Sequence, residues 1–554
     1  MSGRALGWLM LLWAVSTGIG CRIVVNVFRL HAPAPQSPVV ASVWERGRLV
    51  ARAFLSRVGD TDQRFDADRS SHPYGTLVYE TIVGEGPVPR WPEAALALSF
   101  VPGHDGVAAT LGNRTEILTP DDLLSAQAYD KGIEIPGLGV RAGIDVPIVF
   151  ALLSERFGTA VDDVSEHAHL SRVRVVRSLP HAPDSREITP VTMTTDDVHE
   201  GALAAAHYLS RGVDEDGRFR YLVDAPTNRL LAGYDWPRHA GATLFLAQMA
   251  GLTHEAELSW AALRAAGLLR DHAMVQCGSG ACIGSDSVVD IGSTALSVLA
   301  FVEIANAKLD AGYRLLVPAL TAFLRAEQRP DGEFMHLYDR AAGRAIDTQL
   351  LYYTGEAALA LSRAHSLLGD ERDLQSANRA LAHLVSVGWT FFGSRYYFGE
   401  EHWTCLAMDD LWDRAPNRQA LDFCLRWHAY GRHLQYRAGD SPFDSDGAYG
   451  FGPVLTPRLT PVASRSEAVI ATLDAARRAG VARDQLNELE DQARKSLANL
   501  LRHQFRPGPE HLFADPAAVA GAMPASEVDW GLRVDFAQHT GSALLRWMQD
   551  VTPR

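Results

Sequence analysis

The chain has 554 residues, of which 47% are hydrophobic, and its formal net charge at pH 7 is −14. This length and apolar content suffice for a large core divided between two domains. The negative net charge argues against a nucleic-acid-binding protein, which would present a basic surface.

The first 21 residues have the layout of a signal peptide. Arg4 precedes an apolar stretch, and small residues lead to Cys21 in the sequence GIGC. This ending resembles the cleavage site of bacterial lipoproteins, which implies lipidation at Cys21. The alternative is an uncleaved anchor that continues past Arg22, although its apolar run is short for a membrane span. Both interpretations predict a membrane-anchored protein whose body lies on the periplasmic side of a bacterial cell envelope.

Residues 22–75 are predicted to form an exposed tether and a leading helix, with the proline-rich sequence HAPAPQSP at 31–38. Residues 76–190 then mix two kinds of pattern. TLVYETIV and AALALSFV indicate strands, and LSRVRVVRSL alternates like an exposed strand. LTPDDLL begins a helix capped by Thr119, and DVPIVFALLSERFG indicates a second helix. We expect a small α+β domain, in which no catalytic constellation is evident.

From residue 197 to residue 554 the pattern is helical. Charged amphipathic helices alternate with smaller, more apolar ones, as expected for six helical hairpins. A helix that is apolar around most of its circumference is buried on most sides, so the apolar set should form an inner ring. The twelve segments are approximately 198–213, 238–251, 254–273, 290–307, 314–328, 351–369, 373–391, 402–413, 417–435, 464–480, 483–505 and 536–550.

This alternation resembles the (α/α)6 toroid shared by six-hairpin glycosidases, uronate lyases and sugar epimerases. A second resemblance supports it, because EQRPDGEFMHLYD at 327–339 is similar to the Q-x-x-D-G-x-F/W element of toroids such as triterpene cyclases. DEDGRFRYLVD at 214–224 is a looser copy. Gly332 and Gly217 should take positive φ there, and the following aromatic residue should pack back. The predicted fold is mainly α, an (α/α)6 toroid with a small N-terminal α+β domain.

The cysteines fit an oxidising compartment. Cys277 and Cys282 in CGSGAC could close a small disulfide loop. Their pattern is not that of a zinc site, because no second pair with metal spacing follows. Cys405 and Cys424 lie in helical segments and are expected to be buried as small hydrophobic residues. The sequence predicts no metal site and no cofactor, and it does not indicate an oligomeric state.

Polar side chains recur where each apolar helix begins. The inner helices of a toroid run parallel, so these side chains should line one cavity at the shared mouth. Capping explains the acids and hydroxyls, but a cation at a helix N-terminus opposes the macrodipole by about 0.3–1 kcal/mol, which favours a functional role. An inert polar plug is the alternative. The residues expected there are Tyr234, Asp235, Arg238, His239, Tyr353, Glu356, His402, Trp403, Arg465, Glu467, Asp535 and His539.

Their chemistry suggests roles. Histidine moves protons near neutral pH, so His239 or His402 is the candidate acid/base. The candidate catalytic residues are His239, His402, Glu356, Tyr353 and His539. The candidate substrate-binding residues are Tyr234, Asp235, Arg238, Trp403, Arg465, Glu467 and Asp535. Of these, Arg238 or Arg465 would hold an anionic group of the substrate. Glycoside hydrolysis is an alternative reaction, in which Asp235, Asp347 or Glu356 would act as the general acid.

One motif points elsewhere. DDLWD at 409–413 matches the D-D-x-x-D string that holds magnesium and diphosphate in prenyl-transfer and terpene enzymes. It lies at the far end of its inner helix, away from the predicted mouth, and no partner acidic motif is evident. A solvated helix end is the preferred interpretation.

The leading hypothesis is an exported, membrane-tethered carbohydrate-active enzyme that acts on an anionic, uronate-type glycan. It would catalyse epimerisation or elimination by proton transfer, or glycoside hydrolysis. The rival is a non-catalytic lipoprotein that binds a glycan or a protein on a toroid scaffold. A terpene or prenyl-diphosphate enzyme is a remote third possibility that rests on DDLWD alone.

Overall fold

The computed structural model of the chain describes residues 37–135, 140–180, 188–388, 402–440, 444–450, 455–505 and 510–551. The predicted signal peptide, Cys21 and the first part of the predicted tether lie outside the described residues. Within the described ranges, no helix combines the length and the apolar character that a membrane span requires.

An antiparallel six-stranded sheet dominates the N-terminal region, with the spatial order β2-β1-β3-β8-β4-β5. Because β1 pairs with both β2 and β3, residues 39–55 form part of this sheet and not the expected tether. Strand β8 lies inside the sheet and is largely buried, so the expectation of an exposed strand there is wrong. The strands are β1 (Val39–Glu45), β2 (Arg48–Leu55), β3 (Thr76–Pro87), β4 (Asp105–Leu111), β5 (Arg114–Leu118) and β8 (His169–Ser178).

Short helices and a separate hairpin accompany the sheet. Thr119 caps α3 through a capping box, as the sequence predicts. The strand expected at AALALSFV is instead the short helix α2, whose alanines and first-turn Glu93 favour a helix. The helices are α1 (Gln63–Ser70), α2 (Glu93–Ala97), α3 (Pro120–Ser125), α4 (Val146–Phe157) and α5 (Val161–His167), and the hairpin pairs β6 (Tyr129–Ile135) with β7 (Val140–Ile144).

The described part of the remaining chain contains the twelve expected long helices, in alternate outer and inner positions. The outer helices are α6 (Thr195–Arg211), α8 (Ala256–Leu268), α10 (Val317–Ala326), α12 (Glu371–His383), α14 (Arg418–Arg432) and α16 (Arg483–His503). The inner helices are α7 (Trp236–Thr253), α9 (Ile291–Asn306), α11 (Tyr353–Leu368), α13 (His402–Leu411), α15 (Leu459–Arg478) and α18 (Val534–Val551). A four-residue helix, α17 (Pro516–Val519), precedes α18.

The inner helices form a closed ring. Each contacts the next one along the chain, and α18 returns to contact α7. Every residue from Ile291 to Val302 of α9 is buried, whereas α16 exposes Asp484 and Glu488. This difference explains the apolar and charged sequences of the two sets, because an inner helix has protein on all sides and an outer helix faces water. The predicted inner position of 238–251 and outer position of 483–505 are confirmed.

Glycines link the outer helices to one another. Gly217 and Gly332 have positive φ, and the following Phe219 and Phe334 are buried, as predicted. A Cβ on Gly217 would strike the carbonyl of Arg264 in α8, and one on Gly332 would strike the carbonyl of Arg379 in α12. Two further positive-φ glycines, which were not predicted from the sequence, are Gly447 against α16 and Gly521 against α6. The short strands in these connections are β9 (Leu222–Asp224), β10 (Arg229–Leu230), β11 (Met274–Cys277), β12 (Gly280–Ile283), β13 (Val288–Asp290), β14 (Leu337–Asp339), β15 (Arg344–Ile346) and β16 (Gly531–Arg533).

Two disulfides are present among the described residues. The predicted bridge between Cys277 and Cys282 closes the β11–β12 hairpin. Cys405 and Cys424 are buried as expected, but they also form a bridge, which joins inner helix α13 to outer helix α14. The expectation that they are only small hydrophobic residues is therefore wrong.

The DDLWD segment is not solvated at its start. Asp409 is buried and pairs with Arg478 and Arg546, the latter at 3.0 Å. Asp410 pairs with Arg363 and Arg414. The carboxylates of Asp409 and Asp410 are therefore both paired with arginines. They lie at the C-terminal end of α13, remote from the N-termini of the inner helices.

Candidate functional site

A cavity of about 1160 Å³ lies at the N-terminal ends of the inner helices. Residues within or directly before all six inner helices line it. The toroid explains this convergence, because its inner helices run parallel and begin at the same mouth. Eight of the predicted site residues line the cavity: Asp235, Arg238, Tyr353, Glu356, His402, Trp403, Asp535 and His539.

His239 lies behind the cavity wall and is fully buried. Its Nε2 donates to the carbonyl of Ala265 at 2.9 Å, and its Nδ1 is 2.6 Å from the hydroxyl of Tyr234. That hydroxyl also accepts a hydrogen bond from the Phe219 amide at 3.2 Å. Burial lowers the pKa of His239 to about 4. Both ring nitrogens are occupied by protein groups, so the expectation that His239 and Tyr234 line the cavity is wrong.

Arg465 also points away from the cavity. Its guanidinium carbon lies 5.1 Å from the ring centroid of Trp427 on α14 and 5.1 Å from that of Tyr449. The side chain is thus held by cation–π contacts at the outer ring. The expectation that Arg465 lines the cavity as an anion holder is therefore wrong.

His402 and His539 both line the cavity and lie side by side, with ring centroids 5.3 Å apart. Glu467 lies behind His539 and accepts a hydrogen bond from its Nδ1 at 2.7 Å. This contact fixes the orientation of the His539 ring and places a proton on Nδ1. Glu467 thus belongs to the site through His539, without lining the cavity itself.

His402 is 1% exposed, and neither of its ring nitrogens has a hydrogen-bond partner within the described part of the chain. Burial, reinforced by the positive charge that His539 and Arg465 can carry, holds the pKa of His402 well below its ordinary value. The ring is therefore neutral at physiological pH. A buried imidazole with two unused nitrogens at a cavity is unusual, because buried polar groups are generally paired.

Aromatic side chains surround this pair. The Trp403 ring centroid lies 4.6 Å from that of His402 and 6.2 Å from that of His539. Tyr352 lines the cavity with its ring 6.3 Å from His402, and it adopts φ of 77°, in the left-handed region that non-glycine residues rarely occupy. Backbone strain of this kind concentrates at functional sites.

Carboxylates and arginines neutralise each other on one side of the cavity. Arg238 contacts Asp235 and lies 3.3 Å from Asp535, to which Arg533 also donates at 2.6 and 2.8 Å. Burial opposes ionisation of Asp535, but the hydrogen bonds and charge of Arg533, together with the charge of Arg238, lower its pKa. Burial and three nearby carboxylates raise the pKa of Tyr353, which therefore remains a neutral hydroxyl.

The N-terminal region also contributes to the cavity, which was not predicted from the sequence. Gln127, Lys131 and Arg141 come from the β6–β7 hairpin and the segment before it, and they line the same cavity. Arg458 and Asp529 from toroid loops were also missed. A charged residue on a short hairpin carries no signal for this role, because its position depends on how two distant parts of the chain pack together. Asp347, by contrast, is exposed and bonded to Arg329 outside the lining.

No family model matches the chain, and no curated protein matches it in sequence. Solved structures do match it in fold. A sugar epimerase from a ruminal bacterium superposes with a TM-score of 0.51 at 13% identity, over 65% of this chain and 100% of that chain. Cellobiose 2-epimerase from Bacillus thermoamylovorans B4167 gives a TM-score of 0.51 at 10% identity, over 65% and 100% of the two chains. The fold of residues beyond the N-terminal sheet is therefore that of the (α/α)6 toroids, as the alternation of its helices predicts.

Proposed function

We propose that the protein is a carbohydrate-active enzyme that transfers a proton at a sugar carbon next to a carbonyl or carboxyl group. The observation that carries this proposal is His402, a neutral, buried imidazole that faces the cavity with both nitrogens unpaired in the described part of the chain. A neutral imidazole offers one donor and one acceptor, which a proton-transfer step requires.

His539 supplies the second proton-transferring group in this proposal. The Glu467 carboxylate, 2.7 Å from Nδ1, stabilises the imidazolium that forms when the ring of His539 gains a second proton. One histidine removes the proton from carbon, and the bonding electrons move to the adjacent oxygen as an enediolate forms. Return of a proton to the other face of the carbon gives the epimer, whereas departure of an oxygen substituent from the next carbon gives elimination.

Other cavity residues would bind and orient the sugar. Trp403 and Tyr352 present aromatic rings beside the two histidines, and such rings suit the apolar faces of a sugar. Arg238 remains charged because Asp535 and Asp235 outweigh the effect of its burial and raise its pKa, so it can orient an oxyanion that develops on the substrate.

The names of the two structural neighbours agree with this chemistry, since both are sugar epimerases. Glycoside hydrolysis is supported less well. It requires one carboxyl group as acid and a second as base. Glu356 lines the cavity as the predicted acid, but Asp235 and Asp535 are engaged by arginines, and Asp290 accepts hydrogen bonds from Ser293. A non-catalytic binding protein would not need a buried histidine pair at the cavity.

Deuterium exchange tests the proposal whichever product forms. Purified protein in D2O would be incubated with a panel of neutral and uronic monosaccharides and disaccharides, and NMR would follow loss of the protons at the carbons next to the carbonyl and carboxyl groups. We expect exchange with at least one sugar. His402→Gln and His539→Gln should each slow it by about 10²–10⁴-fold.

His199→Gln is the matched control, because His199 is exposed on outer helix α6. It should leave the exchange rate unchanged. Absence of exchange with every sugar, or undiminished exchange by the His402→Gln, His539→Gln double variant, would contradict proton transfer by this pair. Release of reducing sugar without exchange would instead indicate hydrolysis.

We propose in addition that the protein is exported and tethered to a membrane through Cys21, on the basis of the GIGC sequence after an apolar run. Labelling of cells with a fatty-acid analogue tests this placement. The label should be incorporated into the wild-type chain and lost from Cys21→Ala. Full incorporation into Cys21→Ala would show that Cys21 is not the lipidated residue.

A further inference from the structure

We propose that Lys131, carried by the N-terminal β6–β7 hairpin, forms a subsite for a negatively charged oxygen group of the ligand at the cavity. This inference rests on the proposed function, because it assumes that the cavity binds a sugar. It assigns the N-terminal region a part in ligand recognition.

The hairpin is fixed to the toroid by buried hydrogen bonds. Asp130, directly before Lys131, accepts from the hydroxyl of Thr456 at 3.0 Å and from that of Ser526 at 3.1 Å. Gln127 accepts from the amide of Trp530 at 3.1 Å. All three partners lie in loops near the N-termini of inner helices α15 and α18. The position of Lys131 relative to the cavity is therefore set by buried contacts on both parts of the chain.

The backbone of the hairpin and of the segment before it adapts to this attachment. Asp130 has φ of 55° and Gln127 has φ of 53°, both in the left-handed region. Non-glycine residues enter this region at a cost, which the surrounding structure has to offset. The pairing of β6 with β7 is also irregular between Tyr129 and Ile133, on either side of Lys131. A local backbone distortion thus coincides with the residue that lines the cavity.

Charge pairing distinguishes Lys131 from the other cations of the cavity wall. Arg238 and Arg533 pair with Asp535, Arg458 pairs with Asp529 at 2.6 Å, and Arg141 lies 3.3 Å from Glu134. Lys131 has no carboxylate within ion-pair distance among the residues that the structure describes. The positive charge of Lys131 is therefore the one in the described cavity wall that a ligand can neutralise without displacing a protein carboxylate.

The chemistry of lysine suits this role. Its ammonium group is a compact charge with three donors on a flexible stem, and it binds carboxylate, sulfate and phosphate groups without the planar geometry that arginine requires. Lysine is also rare in this chain, where Lys131, Lys308 and Lys495 are the three occurrences. The ligand class inferred is a sugar that bears an oxyanion, with a uronic carboxylate, a sulfate ester and a phosphate ester as its three sources.

Titration calorimetry on the full chain tests the inference with four probes: glucose, glucuronate, glucose 6-sulfate and glucose 6-phosphate. We expect at least one charged sugar to bind more tightly than glucose. Lys131→Gln should weaken its binding about tenfold and reduce the effect of added salt, and Lys131→Arg should restore most of the affinity. The charged sugar with the largest loss identifies the oxyanion.

Lys308→Gln is the control, because Lys308 is exposed at the C-terminal end of inner helix α9, away from the cavity. It should bind all four probes as the wild type does. Equal affinities of Lys131→Gln and wild type for every charged sugar would overturn the role of Lys131. In that case, binding of glucose to the wild type would still support the cavity as a sugar site. Absence of binding by all four probes to the wild-type chain would overturn both proposals.

Discussion

Gly292 leaves room for two side chains of the cavity wall. It lies in the first turn of α9, and a Cβ added to it would come within 2.7 Å of Glu356 Oε2 and would also strike the ring of Tyr353. Both neighbours line the cavity from α11. The absence of a side chain at this position therefore sets the distance between two inner helices at the mouth.

We expect Gly292→Ala to reduce the proposed activity by roughly 10–100-fold, because it displaces Tyr353 and Glu356 from their positions. It should also destabilise the fold by about 1–3 kcal/mol through overpacking. Gly267→Ala is the control, since its Cβ would meet no atom within 4 Å in outer helix α8. That substitution should stabilise the protein by about 0.5–1 kcal/mol and leave activity intact. Kinetics and urea unfolding of both variants would decide, and full activity of Gly292→Ala would contradict this account.

His239 and His402, the two candidate acid/base residues predicted from the sequence, lie in different environments in the structure. His239 and His402 both begin an inner helix beside aromatic residues, and the pattern of residue types treats them alike. The rotation of each helix about its axis places His402 at the cavity and turns His239 towards Ala265 of α8. That rotation depends on packing against neighbouring helices, which a local sequence pattern does not specify. The same reason accounts for Arg465, which points to Trp427.

At the scale of elements, the disulfide between Cys405 and Cys424 holds a catalytic candidate in place. It connects α13, whose first residue is His402, to α14 in the outer ring. The bridged residues are 19 apart in sequence, against 5 for Cys277 and Cys282. A longer loop restricts the unfolded chain more, so the first bridge should contribute more stability.

We therefore expect the Cys405→Ala, Cys424→Ala variant to lose about 3 kcal/mol of stability and the Cys277→Ala, Cys282→Ala variant to lose about 1 kcal/mol less. Only the first pair should also reduce the proposed activity, because it anchors the helix that carries His402. Denaturant unfolding and deuterium exchange of the two double variants measure both effects. A greater loss of stability from the Cys277 pair would count against this explanation.

The long helices of this chain were predictable because the inner and outer rings provide very different environments. The buried run Ile291–Val302 and the charged run from Arg483 are distinguishable from composition alone, because one helix contacts protein on all sides and the other faces water. Short elements were less predictable. The five-residue helix α2 is too short for a helical period to show, and the residues of β1 do not alternate because the strand is buried on both faces.

At the scale of the whole molecule, the sheet region and the toroid share a buried polar contact at Asp130. Burial raises the pKa of Asp130 to about 6, although Arg458 and the hydroxyls of Thr456 and Ser526 partly oppose the shift. The ordinary value is 3.8. Between these two values the folded protein binds more protons than the unfolded chain, so stability declines as pH rises from about 4 to 6.

Replacement of this carboxyl by an amide should remove that dependence. We expect the wild type to lose up to about 3 kcal/mol of stability over this interval relative to Asp130→Asn, whose curve should be flatter there. Urea unfolding at several pH values measures the difference. Asp68→Asn, at an exposed position of α1, should follow the wild-type curve. Parallel curves for wild type and Asp130→Asn would show that this contact does not couple stability to pH.

The part of the site that comes from the N-terminal region was beyond prediction for a related reason. Thr456 is 326 residues from Asp130, and Trp530 is 403 residues from Gln127. Helical periods and caps describe neighbours along the chain, and they carry no information about which distant surfaces meet. The cavity at the toroid mouth could be anticipated from parallel inner helices, but the hairpin that borders it could not.

The closure of the ring has a consequence for how the chain folds. Most neighbouring helices are close in sequence and can associate soon after they are synthesised. The contacts that close the ring join distant parts of the chain. Helix α18 packs on α6 and α7, and Arg211 donates a hydrogen bond to the carbonyl of Ala520 across 309 residues. Such distant contacts form slowly, since the intervening chain must first be ordered. Until α18 is synthesised and packs in place, the apolar flanks of α6 and α7 are exposed to solvent, so the nascent chain is prone to aggregation up to that point.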